Sequence, residues 1–136
     1  MPKYPKVYRL SRRGNLLLTS GTFGSKKQGF FGRGRLLIDT GSSYTILPVK
    51  ILEELGYDLR NPVRRENLIT GQGEIYVPVI SVSWFNSLGQ SAKNFEIAAY
   101  NLPKVTRVDG ILGMNFLLNF QAVISVADAE ISFQQK

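Results

Sequence analysis

The chain has 136 residues and a formal net charge of +7, with 43% hydrophobic and 20% charged residues and neither cysteine nor histidine. That length fits one domain, and the apolar share is enough to bury a core. The missing cysteines and histidines exclude a disulfide framework, a Cys or His nucleophile and an ordinary zinc site, so any catalysis must rest on carboxylates, hydroxyls, Lys or Tyr.

Residues 1–14 read as a basic, irregular or extended lead-in, followed by a single lobe over 15–136. Residues 1–35 carry nine Lys or Arg and no acid, whereas the remainder sums to −2. Such an arm could meet nucleic acid, anionic lipid or an acidic partner, but the favoured reading is a solvated segment that keeps the protein soluble. No recognised docking motif accompanies it, so a nucleic-acid partner is not expected. The opening Met1-Pro2-Lys3-Tyr4-Pro5 lacks the apolar stretch of a signal peptide, and no apolar run approaches the roughly 20 residues of a membrane span. A cytoplasmic location is the resulting expectation.

Leu16, Leu17 and Leu18 open a first strand over 16–20, and Gly24 to Gly29 reads as a hairpin loop. The return strand ends in Arg35-Leu36-Leu37-Ile38 and runs into Asp39-Thr40-Gly41. A short strand over 44–47 follows, and Pro48 suits the start of a helix through Ile51, Leu52 and Leu55, ended by Gly56. Beyond Asn61-Pro62, residues 67–77 predict a hairpin whose tip uses Gly71 and Gly73. Then come a long strand over 77–84, a turn over 86–90 and a strand over 95–100. Residues 108–113 lead to a second short helix over 114–118, and strands over 122–126 and 129–133 join at Asp128. Many short, closely spaced strands with one or two helical turns predict an all-β, small, closed barrel-like fold.

The triplet Asp39-Thr40-Gly41 is placed to carry chemistry. An apolar strand enters the core and delivers an acid at its end, and Gly41 permits a tight turn that aims the carboxylate into a cleft. Ser42, Ser43 and Thr40 add short hydroxyls that can bond a carboxylate, and donation from Ser42 to Asp39 would favour an acidic working pH. Alone, the triplet is equally a turn or capping acid.

Asp39-Thr-Gly-Ser-Ser after Leu-Leu-Ile resembles the active-site loop of the aspartic peptidases. Gly110-Ile111-Leu112-Gly113-Met114-Asn115 resembles the segment that threads behind that loop, and Thr70-Gly71-Gln72-Gly73 falls where such enzymes carry a flap. In order, spacing and length the chain resembles the retropepsin-like branch over about residues 15–135. Ser43 and Met114 stand where viral members often carry an acid and an Arg that form an ion pair, which resembles the bacterial type. The resemblance implies an aspartic endopeptidase with Asp39 catalytic, supported by Thr40, Gly41 and Ser42. It implies hydrophobic specificity from pocket walls such as Ile111 and Leu112, and neither metal nor cofactor. Tyr76 is a candidate cleft aromatic or a packing residue.

This chemistry needs two carboxylates sharing a proton around a water, and one lobe supplies one. Asp109-Gly110 lacks the intervening hydroxyl residue and reads as a turn acid. The expectation is a two-fold homodimer that places both copies of Asp39 on its axis, with Thr40 locking across it, Gly41 bonding substrate backbone, and residues 130–133 with part of the lead-in building the dimer sheet. A catalytically silent peptide-binding or dimerisation module of the same fold is the rival reading, and a basic nucleic-acid-binding β domain is a second.

Overall fold

The computed structural model of the chain describes residues 5–70 and 73–134. The lead-in forms two short strands, β1 (Val7–Arg9) and β2 (Ser11–Arg13), and Leu10 between them is buried. Charged triplets such as Ser-Arg-Arg carry no strand period of their own. They become strands because partners await them, β11 (Glu130–Phe133) for β1 and β3 (Leu16–Gly24) for β2.

β3 and β4 (Phe31–Ile38) form an antiparallel hairpin that runs further toward its loop, to Gly24 and from Phe31, than its apolar residues predict. β5 (Ile46–Leu47) is short and passes directly into α1 (Val49–Glu54), entered from extended Pro48 and ended at Gly56 with φ +91°. β6 (Arg64–Thr70) and β7 (Gly73–Ser87) make the second hairpin, and the 15-residue β7 continues through a tight turn into β8 (Gln90–Ala99). That turn has Leu88 and Gly89 at φ 52° and 71°, the doubly positive pattern that matches strand twist. A 3₁₀ turn (Lys104–Thr106), β9 (Gly110–Leu112), α2 (Met114–Asn119), β10 (Ala122–Ser125) and β11 complete the chain.

Strands β3, β4, β9, β5, β8 and β7 are neighbours in that order, and pairing of β3 with β7 closes them into a six-stranded barrel. β2 and β6 extend it on either side. A separate three-stranded sheet, ordered β1-β11-β10, carries the terminal strands. β11 is therefore flanked on both edges within its own chain, by β1 from the lead-in and by β10.

Alternation divides the interior into two clusters. Leu47 and Leu112 join the main core around Phe23, Phe85, Phe95 and Phe116, while their neighbours Ile46 and Ile111 join a smaller cluster with Leu68, Val77, Val79 and Ala98. Phe116 is fully buried and meets Phe85, Phe95, Phe120 and Phe133 at 4.8–6.3 Å between ring centroids. Truncating a ring so placed costs about 3–5 kcal/mol. The smaller cluster is the floor on which the candidate site stands.

Candidate active site

β4 runs parallel to β9, with Leu36, Leu37 and Ile38 opposite Gly110, Ile111 and Leu112. Asp39 extends that ladder by one bond, its N–H donating to the Leu112 carbonyl at 3.1 Å. The chain then turns sharply. The Ser42 N–H donates to the Asp39 carbonyl at 3.2 Å, and the Gly41 N–H donates to Asp39 Oδ1 at 2.8 Å. A Cβ on Gly41 would stand 3.1 Å from that same oxygen, so the glycine keeps the carboxylate's approach open. Asp39 is half-buried, while Thr40 and Gly41 are exposed at the mouth of the turn.

The loop is braced from behind by residues 113–115. The Met114 and Asn115 N–H groups donate to the Ser42 and Ser43 carbonyls at 2.8 and 3.1 Å. Thr45, fully buried, donates its hydroxyl to Asn115 Oδ1 at 2.8 Å and accepts the Gly113 N–H at 3.1 Å. Asn115 Oδ1 also takes the Thr45 N–H at 2.8 Å, and its amide donates to the Glu96 carbonyl at 2.8 Å. Backbones approach so closely here that a Cβ on Gly113 would lie 2.2 Å from the Tyr44 oxygen, and one on Gly110 would lie 2.1 Å from the Ile46 oxygen. Only glycine fits either place.

In front of Asp39 lies a cleft of about 530 Å³, lined by Gly41, Ser42, Ser43 and Asn67 and by apolar Ile46, Leu68, Ile69, Tyr100, Leu102, Pro103 and Ile111. Asp39 is the one carboxylate among its described lining residues. The expectation that both Ile111 and Leu112 form the wall is half corrected: Ile111 faces the cleft, whereas Leu112 points the other way and is fully buried in the main core. Hairpin β6–β7 overhangs the cleft through Asn67, Leu68 and Ile69, and its last described pair is Thr70 with Gly73. Gly71 and Gln72 lie outside the described residues. Tyr76, 65% exposed, is not among the lining residues; the cleft side of this hairpin is on β6.

The profile of the aspartyl protease family matches residues 29–116, which contain both the Asp39 loop and the segment behind it. This chain belongs to the aspartyl protease family. Its fold is similar to that of a retropepsin-like aspartic protease from Rickettsia conorii, with a TM-score of 0.61 and 19% identity over 98% of this chain and 96% of that one. No curated protein matches the sequence.

Within this aspartyl protease fold, Ser42 and Asp109 are each engaged with backbone groups away from the Asp39 carboxylate. The Ser42 hydroxyl does not reach Asp39; it donates to the Tyr44 carbonyl at 2.7 Å, and Gly41 N–H is the donor to the carboxylate instead. Asp109 is held as a structural acid, its Oδ2 accepting the Arg35 N–H at 2.7 Å while its own N–H donates to the Arg35 carbonyl at 2.8 Å.

One cluster escaped the sequence reading. Arg64 on β6 forks onto both oxygens of Glu96 on β8 at 2.7 and 2.9 Å, and reaches Glu66 at 2.7 Å and the Tyr44 hydroxyl at 2.5 Å. These bonds tie the hairpin base to the residue that follows the Asp39 loop. Arg64 is pushed above its ordinary value by Glu96, then Tyr44 and Glu66. Glu96 is held below the usual carboxylate range by Arg64, and Glu66 by Arg64 and then Tyr44. Arg64 and Glu66 share a strand face at i, i+2, which is legible, but Glu96 is contributed by a distant strand. Two arginines of the basic arm are also engaged: Arg12 donates to the Val126 carbonyl at 2.5 Å, and Arg13 to those of Thr106 and Arg107. Among the described residues, no group of three or more carboxylates converges to hold a metal, and no helix is long and apolar enough to cross a membrane.

Proposed function

We propose that the chain is an active aspartic endopeptidase that works as a two-fold homodimer, with Asp39 of each protomer sharing one proton around the attacking water. The observation that carries this reading is the half-buried Asp39 at the floor of an apolar cleft, with no second carboxylate among the described residues lining it. One carboxylate takes a proton from water as its oxygen bonds to the scissile carbonyl carbon. The other, protonated, delivers its proton to the carbonyl oxygen. The tetrahedral diol then collapses, breaking the C–N bond as a proton passes to the leaving nitrogen. Like charges so near cannot both ionise cheaply, which keeps one proton on the pair at working pH.

In this reading Thr40, exposed beside Asp39, meets its copy across the axis, and Gly41 bonds the substrate main chain. Residues 68–77 would close over an extended peptide, which adds its backbone as a strand while its side chains occupy the apolar walls. Ile46, Leu68, Leu102 and Ile111 favour hydrophobic side chains around the cut bond. A cytoplasmic site of action belongs to this reading and is checked by fractionation.

Incubation of the protein with a mixed peptide pool, beside Asp39→Asn, tests the assignment. Cleavage by the wild type alone is expected. Adding an excess of Asp39→Asn protomers should suppress wild-type activity by subunit exchange. Equal product from both proteins, or a fully active species that sediments as a monomer, refutes the reading.

A further inference from the structure

The end of the loop between β3 and β4 and the first residue of β4 present two adjacent aromatic rings to solvent, Phe30 at 68% and Phe31 at 61% exposure. Slack in the chain does not explain this. The loop is pinned to the end of α1, where Ser25 Oγ and the Lys26 N–H both donate to the Leu55 carbonyl at 2.8 and 2.9 Å. Internal bonds from the Lys27 N–H to Ser25 Oγ and from the Phe30 N–H to the Lys27 carbonyl fix its course. Phe31 rests against Trp84 at 6.3 Å between ring centroids. An ordered loop that holds two apolar rings away from the core is built to place them in something else.

Cations surround these rings. Lys26 and Lys27 precede them in the loop, and Arg33 and Arg35 follow on the same face of β4, about 7 and 13 Å behind Phe31 at the usual rise of a strand. Among the described residues, none of the four is ion-paired, although Lys26 also lies over the Tyr57 ring. The helix that holds the loop carries Glu53 and Glu54, and Glu54 is engaged by Lys50 at 3.9 Å. A second copy of this chain is a poor occupant, because a two-fold contact would bring the same cations face to face. Nucleic acid would need open ring faces for stacking, and Phe31 and Trp84 are already turned on each other. A shape-matched acidic protein would have to supply an apolar pocket as well. An anionic bilayer offers apolar depth and a layer of phosphates together.

We propose that the β3–β4 loop docks the protein on an anionic lipid surface, with Phe30 and Phe31 entering the headgroup boundary and Lys26, Lys27, Arg33 and Arg35 at the level of the phosphates. This surface is separate from the Asp39 cleft and does not depend on peptidase activity.

Co-sedimentation with vesicles of phosphatidylcholine, alone or with about one-third phosphatidylserine, tests it. Binding to the serine-containing vesicles is expected, with a blue shift in the emission of Trp84, the one tryptophan in the chain. Lys26→Gln with Lys27→Gln should weaken partition about 30-fold, from about 1 kcal/mol per lysine at an anionic surface. Phe30→Ser with Phe31→Ser should weaken it at least as much, and Phe30→Ser alone, which spares the Trp84 contact, should reproduce much of that loss if the double variant folds poorly. Three results overturn the proposal: no binding at low salt, binding that survives loss of both phenylalanines, or an aromatic-dependent affinity for oligonucleotides without affinity for vesicles.

Discussion

Thr45 separates a site held by hydrogen bonding from one held by packing alone. Its hydroxyl donates to Asn115 Oδ1 and accepts the buried Gly113 N–H, and the residue is fully buried. Thr45→Val keeps the branched shape but removes both bonds. Asn115 Oδ1 retains the Thr45 N–H, whereas the Gly113 N–H loses the Thr45 hydroxyl as acceptor. Loss of one net hydrogen bond at about 1 kcal/mol and stranding of a buried donor at about 1–3 kcal/mol, less about 0.8 kcal/mol gained by burying a methyl group, give a destabilisation of about 1–3 kcal/mol. Thr45→Ser keeps the oxygen and loses one buried methyl, at about 1 kcal/mol. Urea unfolding at one fixed protein concentration, compared at equal m-values, measures both. The order wild type, Ser, Val in decreasing stability is expected. If Val proves as stable as wild type while Ser is the weaker variant, volume governs the position and the proposed clamp behind Asp39 is wrong.

Gly113→Ala should destabilise by at least about 3 kcal/mol or prevent folding, because its Cβ would fall 2.2 Å from the Tyr44 oxygen and one backbone must move; a soluble variant of wild-type midpoint would refute the close approach. Glu66 and Glu96 both have folded values below the ordinary 4.5, so their contribution to stability is complete above that pH and is lost as pH falls through the depressed values. The stability gap between wild type and Glu96→Gln should therefore shrink in acid below about 4.5 and stay constant above it, as read from chemical unfolding across pH. Arg13→Ala releases the Thr106 and Arg107 carbonyls next to the cleft-wall residues Leu102 and Pro103, so peptide KM should rise several-fold with kcat little changed; an equal fall in kcat would place Arg13 elsewhere in the mechanism.

What was legible in the sequence was local. Leu36-Leu37-Ile38 before Asp39-Thr40-Gly41 announces a buried strand delivering an acid to a turn, and Pro48 and Gly56 bracket α1 as read. Elements whose strand character comes from a distant partner were not legible. Ser11–Arg13 is extended because β3 pairs with it, and β6 begins at Arg64, ahead of its apolar residues, because Val79 stands opposite. Leu112 was misplaced for a related reason: Ile111 and Leu112 are chemically alike, and only the pleat of β9 between two clusters tells wall from core. The Thr45–Asn115 and Arg64–Glu96 contacts join residues 70 and 32 positions apart, a separation that no local pattern encodes.

Asp39 and Asp109 show why the triplet alone could not identify the site. Each precedes or lies near a glycine, and each accepts one backbone N–H, from Gly41 and from Arg35 respectively. Their chemistry is the same; their surroundings differ. Asp109 lines a shallow groove with Arg9, Arg33 and Arg35, where Leu18 is the one large apolar neighbour and no cleft for a peptide side chain opens. Asp39 stands at the end of β4 over the smaller apolar cluster, and it is there only because Gly110 and Gly113 let β9 and the start of α2 press against β5 and the Asp39 loop with no side chain between them. Asp39 carries the carboxylate, but two glycines some seventy residues away decide where it points. Substitutions at those glycines should therefore impair the site as severely as a change at Asp39 itself, through position and not through chemistry.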